Sequence, residues 1–275
     1  MEIDYRAAIN AISDVVQNRP APIREFDQIY MKTGDMVAMS IFMAERFADL
    51  DLVFIGDGDG IALSIAHLVQ EKVLERGPKS MLILDFDERI VNSIVRFADH
   101  YKLEGQIGAV LYNVIDPLPK TVIGCKGAFY TNPPWGASND GESVLAFLER
   151  GMEAVTPGGL GAVVIADDAS LPWTQDVLHR TQEHALRTGF IVGEMVPTWH
   201  LYHLDDAPDL KSCAMLLRGV RVESMPTRSE PLPHERRRNF YGRDNPLRHR
   251  YVREKKTLNY GRAPEDTYFL EALET

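Results

Sequence analysis

The chain has 275 residues, 45% of them hydrophobic and 25% charged, with a formal net charge of −10. These values describe a globular chain long enough for one α/β domain with decorations, and they exclude a disordered or collagen-like polymer. No apolar run approaches the roughly 18 residues of a membrane span, and so acidic a body is a poor match to a phosphate backbone, so neither a membrane nor a nucleic-acid partner is expected.

The start, MEIDYRAAIN, has an early acid and no basic-then-apolar pattern, so no signal peptide is expected. Residues 4–17 set Ala7, Ile9, Ile12 and Val15 among the apolar positions of an amphipathic helix. NRPAP ends it. An irregular stretch follows, carrying Phe26, Tyr30 and Met31, and then a second helix over about 35–48. Residues 1–48 therefore read as an N-terminal helical segment.

From residue 49 the pattern alternates. Short apolar runs end in polar loops: LDLVFIGDGDG, SMLILDFD, IGAVLYNVIDPLP, KGAFYTNPPW and GGLGAVVIADDAS. Helical stretches separate them over 61–75, 88–101, 142–155 and 173–189, and two late strands, FIVGEMVPTWHLY and KSCAMLLRGV, close the region at 220. Strands alternating with helices predict an α/β fold, a mostly parallel sheet with helices on both faces. In such sheets ligands bind beyond the carboxyl ends of the strands. The polar clusters fall there: Asp57 to Gly60, Asp85 and Asp87, Asn113 and Asp116, Asn132 to Trp135, and Asp167 with Asp168. Residues 221–275 hold 12 Lys and Arg against 9 Asp and Glu and read as a basic C-terminal extension, a dimer arm or a lid. Cys125 and Cys213 make neither a disulfide framework nor a zinc cluster, which predicts reduced thiols in a cytoplasmic protein without metal.

The loop VFIGDGDG spaces Gly56, Gly58 and Gly60 between a strand and a helix, where glycine permits a tight turn and close approach of a ligand. The dinucleotide fingerprint differs in spacing, and Asp57 and Asp59 would repel a pyrophosphate. A donor with an adenosine and a positive charge fits better: S-adenosylmethionine or its decarboxylated form. Asp85, at the end of the second strand, can accept from both ribose hydroxyls, whereas Asp87 reads as a helix cap. Asn113 is either an adenine-pairing amide or a turn residue. At the fourth strand, the side-chain oxygen of Asn132 and the carbonyl of Pro133 can both accept from one substrate nitrogen and so aim its lone pair. The two prolines stiffen that loop, and Trp135 can stack on a planar group or meet an ammonium. His179 and His184 read as surface residues, and His200 and His203 either as capping or surface residues or, for one of them, as part of the acceptor pocket.

The order GDGDG, LDFDER, YNVIDPLP and YTNPPW resembles class I S-adenosylmethionine-dependent transferases, and NPPW is similar to the Asn/Asp-Pro-Pro-aromatic signature of amino-methyltransferases. A closer resemblance, over about 24–165, is to the C-terminal domain of the branched-chain polyamine synthase, or N4-bis(aminopropyl)spermidine synthase, family. It lies in FDQIYMKTGDMVAMS, the acidic first loop, the D-x-D-E-R run, PLP, and a Pro-Pro loop followed by FLERGMEAV. The resemblance implies a Rossmann-like class I methyltransferase fold with seven strands and aminopropyl transfer from decarboxylated S-adenosylmethionine. By position, Gly56, Asp57, Gly58, Asp59 and Gly60 cradle the donor, Asp85 takes its ribose and Asn113 lies near its adenine. Asn132, Pro133 and Trp135 hold the acceptor nitrogen, with Asp59 completing the catalytic set.

The family carries acids where this chain has Gly58, Asn113, Asn132 and Trp135. The acceptor is then less cationic than spermidine, or the missing charge comes from Asp140, Glu142, Asp167 or Asp168, because a polycation needs several acids to offset its desolvation. The sequence thus predicts alkylation of a small amine nitrogen, foremost by aminopropyl transfer. N-methyl transfer and transfer of the carboxypropyl arm of S-adenosylmethionine are alternatives, and a non-catalytic binding module is the competing class.

Overall fold

The computed structural model describes residues 3–204, 209–256 and 267–273. The chain divides into two compact units, Met1–Pro22 with Tyr30–Asn113 and His249–Thr275, and Ile23–Ile29 with Val114–Arg248.

The first unit opens on α1 (Tyr5–Asn18), started by Asp4, whose carboxylate accepts the amides of Arg6 and Ala7. Its apolar face buries Ala8, Ala11, Ile12 and Val15. Then come α2 (Thr33–Arg46), β1 (Asp51–Ile55), α3 (Ile61–Gln70), β2 (Ser80–Asp85), α4 (Glu88–Tyr101) and β3 (Ile107–Leu111). β1 pairs with β2 and β2 with β3, all parallel. The apolar sequence of α3 is buried from Ile61 to Leu68, as expected of a helix enclosed on several sides. It stops at Gln70 rather than near residue 75, because Lys72 turns into the left-handed region at φ +59°.

In the second unit β4 (Lys126–Thr131), α5 (Glu142–Ala154), β5 (Val155–Ala166), α6 (Pro172–Arg187), β6 (Phe190–His200) and β7 (Ser212–Gly219) follow in order. β4 and β5 are parallel, while β7 runs antiparallel to both β5 and β6. Phe129 of β4 is fully buried, and a β-carbon at either Gly151 of α5 or Gly161 of β5 would overlap its ring. Those two glycines let helix and neighbouring strand close on the aromatic.

The seven strands run in the order β3-β2-β1-β4-β5-β7-β6, the mostly parallel α/β sheet predicted from the alternation. Among the described residues no helix is long and apolar enough to cross a membrane.

One element was not legible. Within the stretch read as a single extension, β8 (His249–Glu254) and β9 (Tyr268–Ala272) form an antiparallel pair in the first unit, while 221–248 belong to the second. Residues 257–266 of that stretch lie outside the described residues. β8 lies along the β2–α4 turn: Val252 donates to the Phe86 carbonyl at 3.1 Å and bridges Asp87 in parallel, and the Glu254 amide donates to the Glu88 carboxylate at 2.9 Å.

Candidate active site

In the first unit the loop after β1 is built from carboxylates that hold backbone. Gly56 stands at φ +75° and donates to the Leu84 carbonyl at 2.8 Å; Gly60, at φ +79°, leads into α3. Asp57 spends both oxygens on the first turn of that helix, accepting the amides of Ile61 and Ala62 at 2.9 Å each. It caps the helix as well as lining the loop. Burial pushes its carboxyl well above the usual range, against the pull of those two amides. Asp59 accepts the Met31 amide at 2.7 Å, and its carbonyl accepts Arg19 Nη1 at 2.8 Å. Gly58 is packed against Tyr30, whose Cε1 would lie 2.9 Å from an added β-carbon. A side chain there would require the Tyr30 ring to shift.

Asp85 joins this loop to the next. It accepts the Asp57 amide at 3.0 Å and the Asp87 amide at 2.9 Å, and is 4% exposed. Burial, reinforced by the nearby Asp87 charge, raises its pKa to about 7. Asp87 caps α4 through the Arg89 amide at 3.0 Å and pairs in the interior with the Arg89 guanidinium, whose Nη2 lies 2.5 Å away. The helix-cap reading of Asp87 describes what is seen. Asn113 is buried, and its amide donates to the Arg250 carbonyl of β8 at 2.5 Å. At least one of its donors therefore serves the C-terminal hairpin. Arg19, Met31 and Arg250 were missed. The first acts through a guanidinium, the others through main-chain groups, which no side-chain motif encodes.

In the second unit Thr131 is fully buried at the end of β4, and Asn132, Pro133, Pro134 and Trp135 lead away from it. Gly136, at φ +78°, turns the chain and accepts the amides of Asn139 and Gly141 through its carbonyl. Ser143, in the first turn of α5, ties this corner to the Phe240 carbonyl at 2.6 Å. Trp135 is 9% exposed and meets the edge of Tyr202, ring centroids 5.2 Å apart at 81°. Its Nε1 is buried with no hydrogen-bond partner among the described residues, and so is Nε2 of His200.

Three of the four acids named as sources of missing charge have other engagements. Glu142 is ion-paired with Arg180 and with Arg236 Nε, the latter at 2.6 Å. Asp167 accepts the Thr198 amide at 2.9 Å and Gln175 Nε2 at 3.3 Å. Asp168 caps the Ser170 turn, whose hydroxyl and amide hold its pKa below the usual value. Asp140 sits on the exposed turn at φ +55°. Arginines of the basic stretch are likewise used internally, Arg236 on Glu142 and Glu149, and Arg253 on Glu88 and Glu271. One histidine expectation needs correcting: His184 is half-buried beside Glu149, because α6 packs that face inward, and of the alternatives for His200 full burial removes the surface one. His179 and His203 are exposed.

Residues 7–263 match the family model described as the branched-chain polyamine synthase A C-terminal domain. Two N(4)-bis(aminopropyl)spermidine synthases match at 28% identity: one from Methanocaldococcus jannaschii, over 55% of this chain and 41% of that protein, and one from Thermococcus kodakarensis, over 58% and 44%. The matched part thus spans less than half the length of either relative. Among solved structures, the branched-chain polyamine synthase from Thermus thermophilus, in complex with N4-aminopropylspermidine and 5′-methylthioadenosine, superposes with a TM-score of 0.65 at 21% identity. That likeness covers 89% of this chain and 70% of that one, and it supports the fold.

Proposed function

The chain belongs to the branched-chain polyamine synthase A C-terminal domain family, and from that premise we propose that it transfers an aminopropyl group from decarboxylated S-adenosylmethionine to the nitrogen of a small amine. The observation that carries the reading is the buried acidic loop: Asp57 and Asp59 alternate with the left-handed Gly56 and Gly60, and the Asp85 carboxylate at the end of β2 accepts the Asp57 amide. Such a loop repels phosphate and suits a nucleoside with a cationic arm.

The residues present fit that donor, which supplies a methylene activated by the adjoining sulfonium. Gly56 and Gly60 let the backbone turn without a side chain in the way. Asp57 keeps the loop on α3. Asp85 has lone pairs beyond the two its amide partners use, enough to accept from ribose hydroxyls. Asn113 contributes its side-chain carbonyl toward adenine, and Asp59 attracts the cationic arm.

On the acceptor side, Asn132 Oδ1 and the Pro133 carbonyl take the nitrogen's N–H groups and leave its lone pair free to attack. The nitrogen–carbon bond forms as the carbon–sulfur bond breaks, 5′-methylthioadenosine leaves, and the nitrogen gives up one proton. Pro133 and Pro134 limit the loop's freedom. The ion pairs of Glu142 with Arg180 and Arg236 neutralise that acid, which favours an acceptor with fewer charges than spermidine. The same observation keeps a second reading in view, N-alkylation by S-adenosylmethionine itself.

Calorimetry with both donors and with 5′-methylthioadenosine tests this. The reading predicts that the decarboxylated donor and 5′-methylthioadenosine bind and that S-adenosylmethionine binds more weakly. Tighter binding of S-adenosylmethionine moves the assignment to methyl or carboxypropyl transfer, and binding of none of the three removes it.

A further inference from the structure

The pairing of β6 with β7 shifts register in two places, by one extra residue between Val192 and Glu194 and by two between Val196 and His200; the second is the larger. Val196 pairs with Ala214 and His200 with Ser212, so four residues of advance on β6 stand against two on β7. In regular pairing Thr198 would face Ser212; the bulge puts His200 there instead. Thr198 has φ +48°, a left-handed conformation that a β-branched residue rarely adopts. Asp167 holds it: one carboxylate oxygen accepts the Thr198 amide at 2.9 Å, while the Asp167 amide donates to the Lys211 carbonyl at 2.9 Å.

The bulge completes a buried chain of polar groups. His200 Nδ1 lies 3.0 Å from Ser212 Oγ, and the Tyr202 hydroxyl lies 2.7 Å from the same oxygen. The Tyr202 ring meets Trp135 edge-on. His200 and Ser212 are fully buried and Tyr202 is 2% exposed. Burial pushes the His200 pKa down to about 4, so the imidazole is neutral and acts as a directional hydrogen-bonding group. A serine hydroxyl has one proton to give, so the chain runs from Tyr202 to His200 or back again, and each link fixes the next. Apolar residues would pack against Trp135 without desolvating three polar groups or straining a threonine.

We propose that His200, Ser212 and Tyr202 are positioning residues that fix the plane of Trp135 and, through it, the loop from Asn132 to Trp135. The proposal rests on the reading of that loop as the acceptor site.

The test labels the protein with 5-fluorotryptophan and follows the 19F resonance of Trp135, assigned by its loss in Trp135→Phe. Tyr202→Phe keeps the ring contact and removes the hydroxyl; Ser212→Ala removes the central link; Ser212→Thr keeps a hydroxyl. In parallel, kcat and KM are measured with decarboxylated S-adenosylmethionine as donor and the best acceptor of a series of monoamines, diamines and spermidine, and the affinity for 5′-methylthioadenosine by calorimetry. The expected result is a shifted or broadened Trp135 resonance in Tyr202→Phe and Ser212→Ala. With it goes a fall in kcat of about tenfold, the equivalent of one net hydrogen bond, with nucleoside affinity within about twofold of wild type and Ser212→Thr close to wild type. An unmoved resonance in both hydroxyl-deletion variants overturns the proposal, as does an equal shift in Ser212→Thr and Ser212→Ala. A wild-type protein inactive with that donor and every amine of the series counts against the proposed function instead, and the resonance still decides the positioning role.

Discussion

Asp85 accepts the backbone amide of Asp57 at 3.0 Å, so the end of β2 holds the loop at the end of β1. This bond couples the geometry of the proposed donor loop to the protonation of one buried carboxyl. The folded pKa, raised to about 7, lies above an unfolded value of about 3.9. Between those values the folded state binds the extra proton, so stability is greatest at the acid end and is lost as pH rises toward the folded pKa. Three units at about 1.4 kcal/mol each set an upper bound of about 4 kcal/mol. Denaturant titrations at pH 5 and pH 8 should show the free protein less stable at pH 8. Asp85→Asn, which cannot ionise, should reduce that difference, leaving a part carried by Asp27, whose burial raises its pKa to about 6. An unchanged slope in the variant would mean other groups carry it.

Asn132→Ala should abolish turnover while leaving 5′-methylthioadenosine affinity within about twofold, since the lost oxygen serves only the acceptor nitrogen in this reading. Calorimetry and product analysis separate the two effects. A variant that loses nucleoside binding would place Asn132 on the donor instead.

Gly151→Ala sets two known effects against each other. Alanine favours a helix by about 1 kcal/mol, but the new β-carbon enters the Phe129 ring, and overpacking of this kind costs about 1–3 kcal/mol or more. The overlap should win because Gly161 closes the opposite approach to the same ring. A melting temperature several degrees below wild type is expected; a rise would mean that α5 can shift away from β4.

Asn113→Ala removes the donor to the Arg250 carbonyl. Removing a bond to this partly buried acceptor costs about 1 kcal/mol. Hydrogen exchange should quicken at the Val252 amide while β1 and β2 keep their protection. Uniform loss of protection would show that the hairpin is integral to the whole unit rather than held through this contact.

Much of this fold is written in local pattern. The apolar runs at Leu52–Ile55 and Met81–Leu84 announce central strands, and the polar residues after them mark the loops. Asp87, followed by a helical stretch, reads correctly as a cap from three residues of sequence. What was not legible depends on partners distant along the chain. His200 looks like any strand-end histidine until the two-residue bulge sets it opposite Ser212. The hairpin of β8 and β9 was obscured by its charge: HRYVRE alternates, but its arginines and glutamate suggest a solvated tail until Arg253 and Glu254 find Glu88, Glu271, Asn92 and Arg96.

That hairpin reaches the first unit partly through its main chain, offering the Arg250 carbonyl to Asn113 and the Val252 amide to Phe86. Neither bond depends on which side chains stand at 250 or 252. Over evolutionary time the letter at 250 is free to drift while the extended backbone is retained, whereas position 252, fully buried in Val252, must stay apolar and cannot become proline. Aligned sequences would then show a variable C-terminal tail where the molecules share a strand, and a deletion trimmed to the conserved letters would remove it.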